Sequence, residues 1–308
     1  MIMRYHYLMQ HPPVFLKVTG LHIREFDDLM RDVQPTFTYA EQTRLQRPDR
    51  QRAIGGGRDS ELDARNQVLL TVIWLRLYPT HEVLAYLFGV SDSTVSRVIQ
   101  RVLPLLEQAG RDTMRLPDPG RKRRRSLPEL LQDTPEMAVV IDSFEQKVQR
   151  PKQPDERDGW YSHKKRSHTT KSQIAVDEET GRIVAVSASV TGRTHDLTLL
   201  KQSGLLARLP DGIGGLGDLG YQGIRDLHPL AACPRKKPWG KDKPRPPEDV
   251  VYNRAFSQRR IIVENSINRL RRYQALAQTD RQHRRQHESR VCAVAGLVNR
   301  QFAHRMPA

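Results

Sequence analysis

Cysteine is scarce: Cys233 and Cys292 are the only two in 308 residues. Neither sits in a CxxC or CxxH pair, which excludes a disulfide framework and a cysteine-based zinc site. Long apolar runs are missing too. No stretch approaches the ~18 uninterrupted apolar residues of a membrane-spanning helix. The N-terminal MIMRYHYLMQHPP is broken by Arg4, His6 and Gln10, so it lacks the apolar run of about 7–15 residues that a secretory signal needs. Apolar residues amount to 37%, below the usual ~45–50%, so much of the surface is solvated or faces a ligand. Negative charge is the last deficit. Asp and Glu total 35 against 51 Lys and Arg, leaving a net +16.

The basic excess is mostly arginine, 39 Arg to 12 Lys. Guanidinium forks match phosphate oxygens, and a field of this sign attracts nucleic acid. A GC-rich genome would inflate arginine without any binding role.

Residues 1–60 are expected to be partly helical. LHIREFDDLM (21–30) reads as a short helix with Leu21, Phe26, Leu29 and Met30 on one side, and Gly55–Gly57 as a breaker. Residues 61–110 read as a helical domain. Val68, Leu69, Val72, Ile73 and Leu75 recur at near-helical spacing before Pro79. Thr80 is placed to cap a helix with an apolar face of Val83, Leu84 and Leu87, which Gly89 stops. Ser91 is placed to cap the next, with Val95, Val98, Ile99 and Val102 inward and Pro104 ending or kinking it. Two helices joined by a tight glycine turn fit a helix-turn-helix. Ser91, Ser93, Thr94, Ser96, Arg97 and Arg101 would then face DNA. A plain helical hairpin is the competing reading. Residues 111–135 read as a linker with a basic block at 121–125, solvated, lying on DNA, or in a eukaryote a nuclear import signal.

From Met137 the period changes. MAVVI (137–141) and SQIAV (172–176) have the length of buried strands. Thr180-Gly181 reads as a hairpin turn into RIVAVSASV, which alternates with period two. DLTLLKQSGLLARL (196–209) reads as an amphipathic helix, GIGGLG as a short strand and 253–276 as a long helix. Five prolines in 234–247 forbid regular structure there. The order is that of an α/β layered domain spanning 136–308.

Three carboxylates sit after strand-like stretches or within a helix, at a spacing that alone would not single them out. Asp142 follows the first strand, Asp218 follows GIGGLG, and Glu264 lies in the last helix. Each alone fits a turn, a cap or an exposed helix position. Together they fit the need of phosphodiester cleavage for hard cations about 3.5–4 Å apart, held by carboxylate oxygen. Asp196 reads either as a helix N-cap or as a neighbour of such a site. Lys164 and Lys165 are expected on a strand, or at its edge, near Asp142 and against phosphate.

Seven phrases in order carry a family resemblance: VVIDSFE, YSHKKRSHTTKSQIAVDEETGRI, GRTHDLTLL, GDLGYQG, PRKKP, VENSINRLRR and AGLVN. Residues 142–299 resemble the catalytic domain of DDE transposases of bacterial insertion sequences and Harbinger-like elements, and the helix-turn-helix resembles the one that precedes it there. The resemblance implies a ribonuclease-H-like mixed sheet behind an all-α domain. It implies Asp142, Asp218 and Glu264 as the catalytic, metal-binding triad, holding two Mg²⁺ for which Mn²⁺ substitutes. It implies no organic cofactor. Arg260 and Arg271 match basic positions of the family motif and imply phosphate contacts, while Ser257 replaces the family's tyrosine. The implied activity is transposition: binding of the element's terminal repeats, strand cleavage, and strand transfer into target DNA. A homodimer or larger assembly on double-stranded DNA is implied, with no membrane. The arginine richness and the missing secretory signal point to a bacterial cytoplasm, on the nucleoid, or to the nucleus if the host is a eukaryote. A DNA-binding regulator or scaffold derived from such an enzyme, and a host nuclease of the same fold, are the alternatives.

Overall fold

A computed structural model describes residues 3–46, 60–121, 126–237 and 244–303. The glycine run at 55–57, most of the basic block at 121–125 and the centre of the proline-rich stretch lie outside them. The chain forms two compact units. One comprises residues 1–113, 270–277 and 289–308; the other comprises 114–269 and 278–288.

The first unit is helical: α1 (Tyr5–Leu8), α2 (Pro12–Thr19), α3 (Ile23–Leu45), α4 (Ala64–Leu77), α5 (His81–Phe88) and α6 (Asp92–Arg111). Leu21, Phe26, Leu29 and Met30 are buried as expected, but the helix that carries them is 23 residues long and runs through Pro35. Asp63 caps α4 by accepting from the Asn66 amide, and residues 66–75 are buried on every side. Pro104 does not end α6, which continues to Arg111. Proline costs the helix one hydrogen bond, and burial of Val102, Leu103 and Leu106 around it holds the segment helical.

In α5 the inward face is Leu84, Ala85 and Phe88, while Val83 is half exposed. The caps fall where the sequence puts them. The Thr80 hydroxyl accepts from Val83 N, Gly89 ends α5 at φ +60°, and the Ser91 hydroxyl accepts from Thr94 N. Val95, Val98, Ile99 and Val102 face inward. The remaining pieces of this unit are the short α10 (Gln274–Ala277) and most of α11 (His287–Ala303). Residues 290–300 of α11 are buried throughout. Gly110 of α6 lets the two backbones touch: a Cβ there would fall on the carbonyl carbon of Cys292 at 3.1 Å.

The second unit is a mixed sheet with helices. Its strands are β1 (Met137–Lys147), β2 (Tyr161–Ser162), β3 (Ser167–Asp177), β4 (Ile183–Val186), β5 (Val190–Thr191) and β6 (Ile213–Leu216). The sheet order is β2-β3-β1-β6, with β4 and β5 on the outer side of β3. β1 and β3 run antiparallel, and β6 joins β1 in parallel. Antiparallel strands followed by a parallel one are the ribonuclease-H-like arrangement. The expected third strand is split after Val186. There Ser187 Oγ accepts the Gln173 amide and also donates to Ala188 O, while Ser187 N still donates to Gln173 O. Helix α8 (Asp196–Ser203) is shorter than its apolar pattern, because Gly204 at φ +60° terminates it. Helices α7 (Pro154–Trp160) and α9 (Pro247–Leu270) complete the unit.

Candidate active site

Parallel pairing of β1 with β6 fixes the site. The last paired residues are Val140 and Leu216, and two positions beyond each stand Asp142 and Asp218. Neighbouring strands lie roughly 4.8 Å apart, so matched register brings two carboxylates to one end of the pair. The turn after β6 needs glycine. A Cβ at Gly217 would meet the Tyr221 ring at 2.6 Å, and one at Gly220 would sit 2.9 Å from carboxylate oxygens of both Asp196 and Asp218.

Asp196 thus belongs to the same acidic cluster. It is not the cap of α8; His195 is, its ring accepting from Leu197 N. Asp196 Oδ1 accepts from Ser143 Oγ at 2.7 Å and from Lys171 Nζ at 2.9 Å. Lys171 is buried, donates also to Thr194 O at 2.6 Å, and stands 4.0 Å from Glu145. Beneath the cluster, Tyr221 is fully buried and takes a 2.7 Å hydrogen bond from Gln173 Nε2. Burial, reinforced by the nearby Asp196 and Asp142 carboxylates, pushes its hydroxyl well above the ordinary tyrosine range.

Burial also pushes the Asp142 carboxyl up to about 6. The Arg260 guanidinium and the Ser143 amide oppose this, while Asp218 and Asp196 add to it. Arg260 Nη2 lies 3.3 Å from Asp142 Oδ2, and its Nε is buried with no hydrogen-bond partner among the described residues. Arg259, next to it on α9, is the anchor of that helix. It grips Glu178 with two 2.7 Å bonds and reaches Thr134 Oγ1 and Pro135 O.

Glu264 is exposed on α9, one turn beyond Arg260. Residues four apart share a helix face, so Glu264 follows the side chain that touches Asp142. The ligand oxygens of Asp142, Asp218 and Glu264 do not all fall within 4.8 Å of one another. Ligands shared between two ions about 3.5–4 Å apart are spread more widely than that.

The other sequence-predicted positions are separate from this cluster. Lys164 and Lys165 are exposed in the turn between β2 and β3. Asp142 pairs with Ile174 of β3, so this turn lies beyond the far end of the strand, more than about 20 Å along it at 3.3 Å per residue. The chain between β1 and β3 is diverted through α7 and a hairpin, which carries the lysines away from Asp142. Ser91, Ser93 and Arg97 are exposed on the first turns of α6, and Thr94 and Ser96 are half-buried there. Arg101 is held by Glu41 at 3.4 Å and by the Arg97 carbonyl. Arg271 is exposed just after α9. Ser143, Lys171 and Gln173 were not singled out in the sequence. Their signal was there: Lys171 and Gln173 belong to a run of polar residues, 167–173, that leads straight into the apolar Ile174–Val176 of the same strand.

A family model described as DDE superfamily endonuclease matches residues 141–299, more than half of the 308. The chain belongs to the DDE superfamily of endonucleases. Asp142, Asp218 and Glu264 all lie inside the matched span. A second model, the helix-turn-helix of DDE superfamily endonuclease, matches residues 60–112 of this endonuclease. A probable transposase for insertion sequence element IS702 from Microchaete diplosiphon is 29% identical over 287 residues, which is 93% of this chain and 98% of the relative. Among solved structures, a Mos1 transposase paired-end complex with left transposon end is similar over 75% of this chain and 85% of its own, at 13% identity and a TM-score of 0.18.

Proposed function

We propose that this endonuclease is a transposase that binds the terminal repeats of its own element, cuts there and joins the freed ends to target DNA. The observation that carries this is the register-matched pair Asp142 and Asp218, with Asp196 in the same cluster and Arg260 of α9 against Asp142. The residues fit divalent cations. Three carboxylates gather where burial already disfavours ionised Asp142, Arg260 puts a positive charge on that carboxylate, and Gly220 leaves open the space a Cβ would fill.

Asp142, Asp218 and Glu264 would hold two Mg²⁺, with Mn²⁺ as a substitute. Bound there, the ions would activate the attacking oxygen and neutralise charge on the phosphate. Lys171 and Ser143 hold Asp196 in one orientation, which keeps the acidic cluster in shape before any ion arrives. The unpartnered Nε of Arg260 would be a donor for a phosphate oxygen. Ser91, Ser93, Thr94, Ser96 and Arg97 would read or position duplex DNA from the N-terminal end of α6. Lys164, Lys165 and Arg271 would add backbone contacts elsewhere. Cutting both ends of an element calls for a dimer or larger assembly on DNA, in the bacterial cytoplasm at the nucleoid.

The test is incubation of the full chain with Mg²⁺ or Mn²⁺ and DNA carrying the ends of its element, beside Asp142→Ala. Metal-dependent cleavage at those ends, absent in the variant, is expected. Binding to the ends without cleavage under either metal would overturn the enzyme reading and leave a DNA-binding regulator.

A further inference from the structure

A cleft of about 570 Å³ opens in the second unit where β1 runs out. One wall is the segment after Val148, the other is 280–285, and Trp160 at the end of α7 closes it. The two walls are pinned together: Asp280 N donates to Lys147 O at 2.8 Å, and Gln146 Nε2 donates to Gln278 O at 2.8 Å. The Trp160 ring is half-buried and carries the Arg284 guanidinium 4.6 Å from its centroid. Arg284 is itself held by Glu156 at 3.3 Å. Arg150, Lys152 and Arg285 line the rim, are exposed, and make no side-chain ion pair among the described residues. Glu156 and Asp280 are the acids present. The balance is four cations to two anions. The turn holding Lys164, Lys165 and Arg166 is at the same end of the sheet, since Val148 N bonds to His168 O and Tyr161 pairs with His168.

We infer that this cleft binds a single DNA strand, with one unpaired base stacked on the Trp160–Arg284 platform and flanking phosphates on Arg150, Lys152 and Arg285. The inference rests on the DNA-binding reading above. A basic groove with a stacking surface is the design of single-strand sites. Paired bases within a duplex offer no free face to such a platform. A volume of this size suits one or two nucleotides, being in the range of small-molecule sites. Val148 directly follows the last residue of β1 and is six residues beyond Asp142, about 20 Å at 3.3 Å per residue. That is roughly six nucleotides at 3.4 Å each, so a strand leaving the acidic cluster reaches the cleft within that distance.

The experiment measures fluorescence anisotropy of the full chain with a labelled oligothymidylate and, separately, a labelled duplex, across a salt series. Trp160→Ala is expected to weaken oligothymidylate binding by about 5- to 100-fold, without changing the salt slope, and Trp160→Phe to restore most of it. Arg150→Ala with Lys152→Ala is expected to flatten the slope by about 0.7 for each phosphate no longer neutralised. Duplex binding through the helix-turn-helix is expected to stay at the wild-type value in every variant. Wild-type duplex binding without oligothymidylate binding, or with binding that ignores Trp160, overturns the cleft and leaves the DNA reading intact. Equal loss on both DNAs in Trp160→Ala overturns it as a general defect, and competition by free thymidine monophosphate as strong as by the oligomer replaces it with a nucleotide site. Failure of wild type on both DNAs removes the DNA reading, and this inference with it.

Discussion

Asp142→Asn tests whether the acidic cluster is a strained place awaiting cations. Burial lifts the Asp142 carboxyl from 3.8 to about 6 even with Arg260 beside it. At about 1.4 kcal/mol per pH unit, the ionised form costs the folded protein about 3 kcal/mol. The folded carboxyl holds its proton more tightly than the unfolded one, so stability falls as pH rises from about 4 to about 6 and stays reduced above. Asparagine keeps the shape and removes the charge. Without metal, Asp142→Asn should therefore be more stable than wild type near neutral pH, by up to about 3 kcal/mol. The two should converge near pH 4. Urea denaturation between about pH 4 and 8 reads this directly. Saturating Mn²⁺ should then help wild type alone, by about 2.7 kcal/mol at a hundredfold excess over Kd. A variant less stable than wild type at neutral pH without metal, or an offset that ignores pH, would refute the reasoning.

Four further outcomes follow from geometry. Arg259→Ala leaves Glu178, 5% exposed, charged and without its main counter-charge, so the urea midpoint should drop by the equivalent of about 3–5 kcal/mol; adding Glu178→Gln should recover part of that. Gly220→Ala puts a methyl 2.9 Å from oxygens of Asp196 and Asp218, so Mn²⁺ should no longer raise Tm although the circular dichroism spectrum stays native. In the first unit, Ser91→Ala removes the cap of α6 and should cost about 1 kcal/mol. Arg97→Ala should instead spare stability and reduce the log–log salt slope of duplex binding by about 0.9.

Asp142 follows the apolar run MAVVI and Asp218 the glycine-rich GIGGLG, positions that fit an ordinary turn as well, so it is the family resemblance that selects them. Their proximity was not legible, since it depends on which β1 residue pairs with which β6 residue. Glu264 was found only through resemblance; its helix position says nothing of what it faces. Asp196 was ambiguous between capping and the site, and the neighbouring His195 took the capping role. Lys164 and Lys165 were misplaced because the fourteen residues from 148 to 161 gave no sign of the detour through α7. Pro104 was expected to end or kink its helix and does not end it: burial of flanking apolar residues outweighs one missing hydrogen bond. The caps at Thr80, Gly89 and Ser91 were readable because capping is local chemistry.

The helical unit is assembled from both ends of the chain, with α11 buried along most of its length and backbone-close to α6 at Gly110. Truncation therefore has a particular outcome here. A chain that stops before residue 289 keeps the whole segment matched by the helix-turn-helix model yet loses the helix that comes backbone-close to α6 at Gly110. The first 112 residues alone are thus not expected to fold as an independent DNA-binding module.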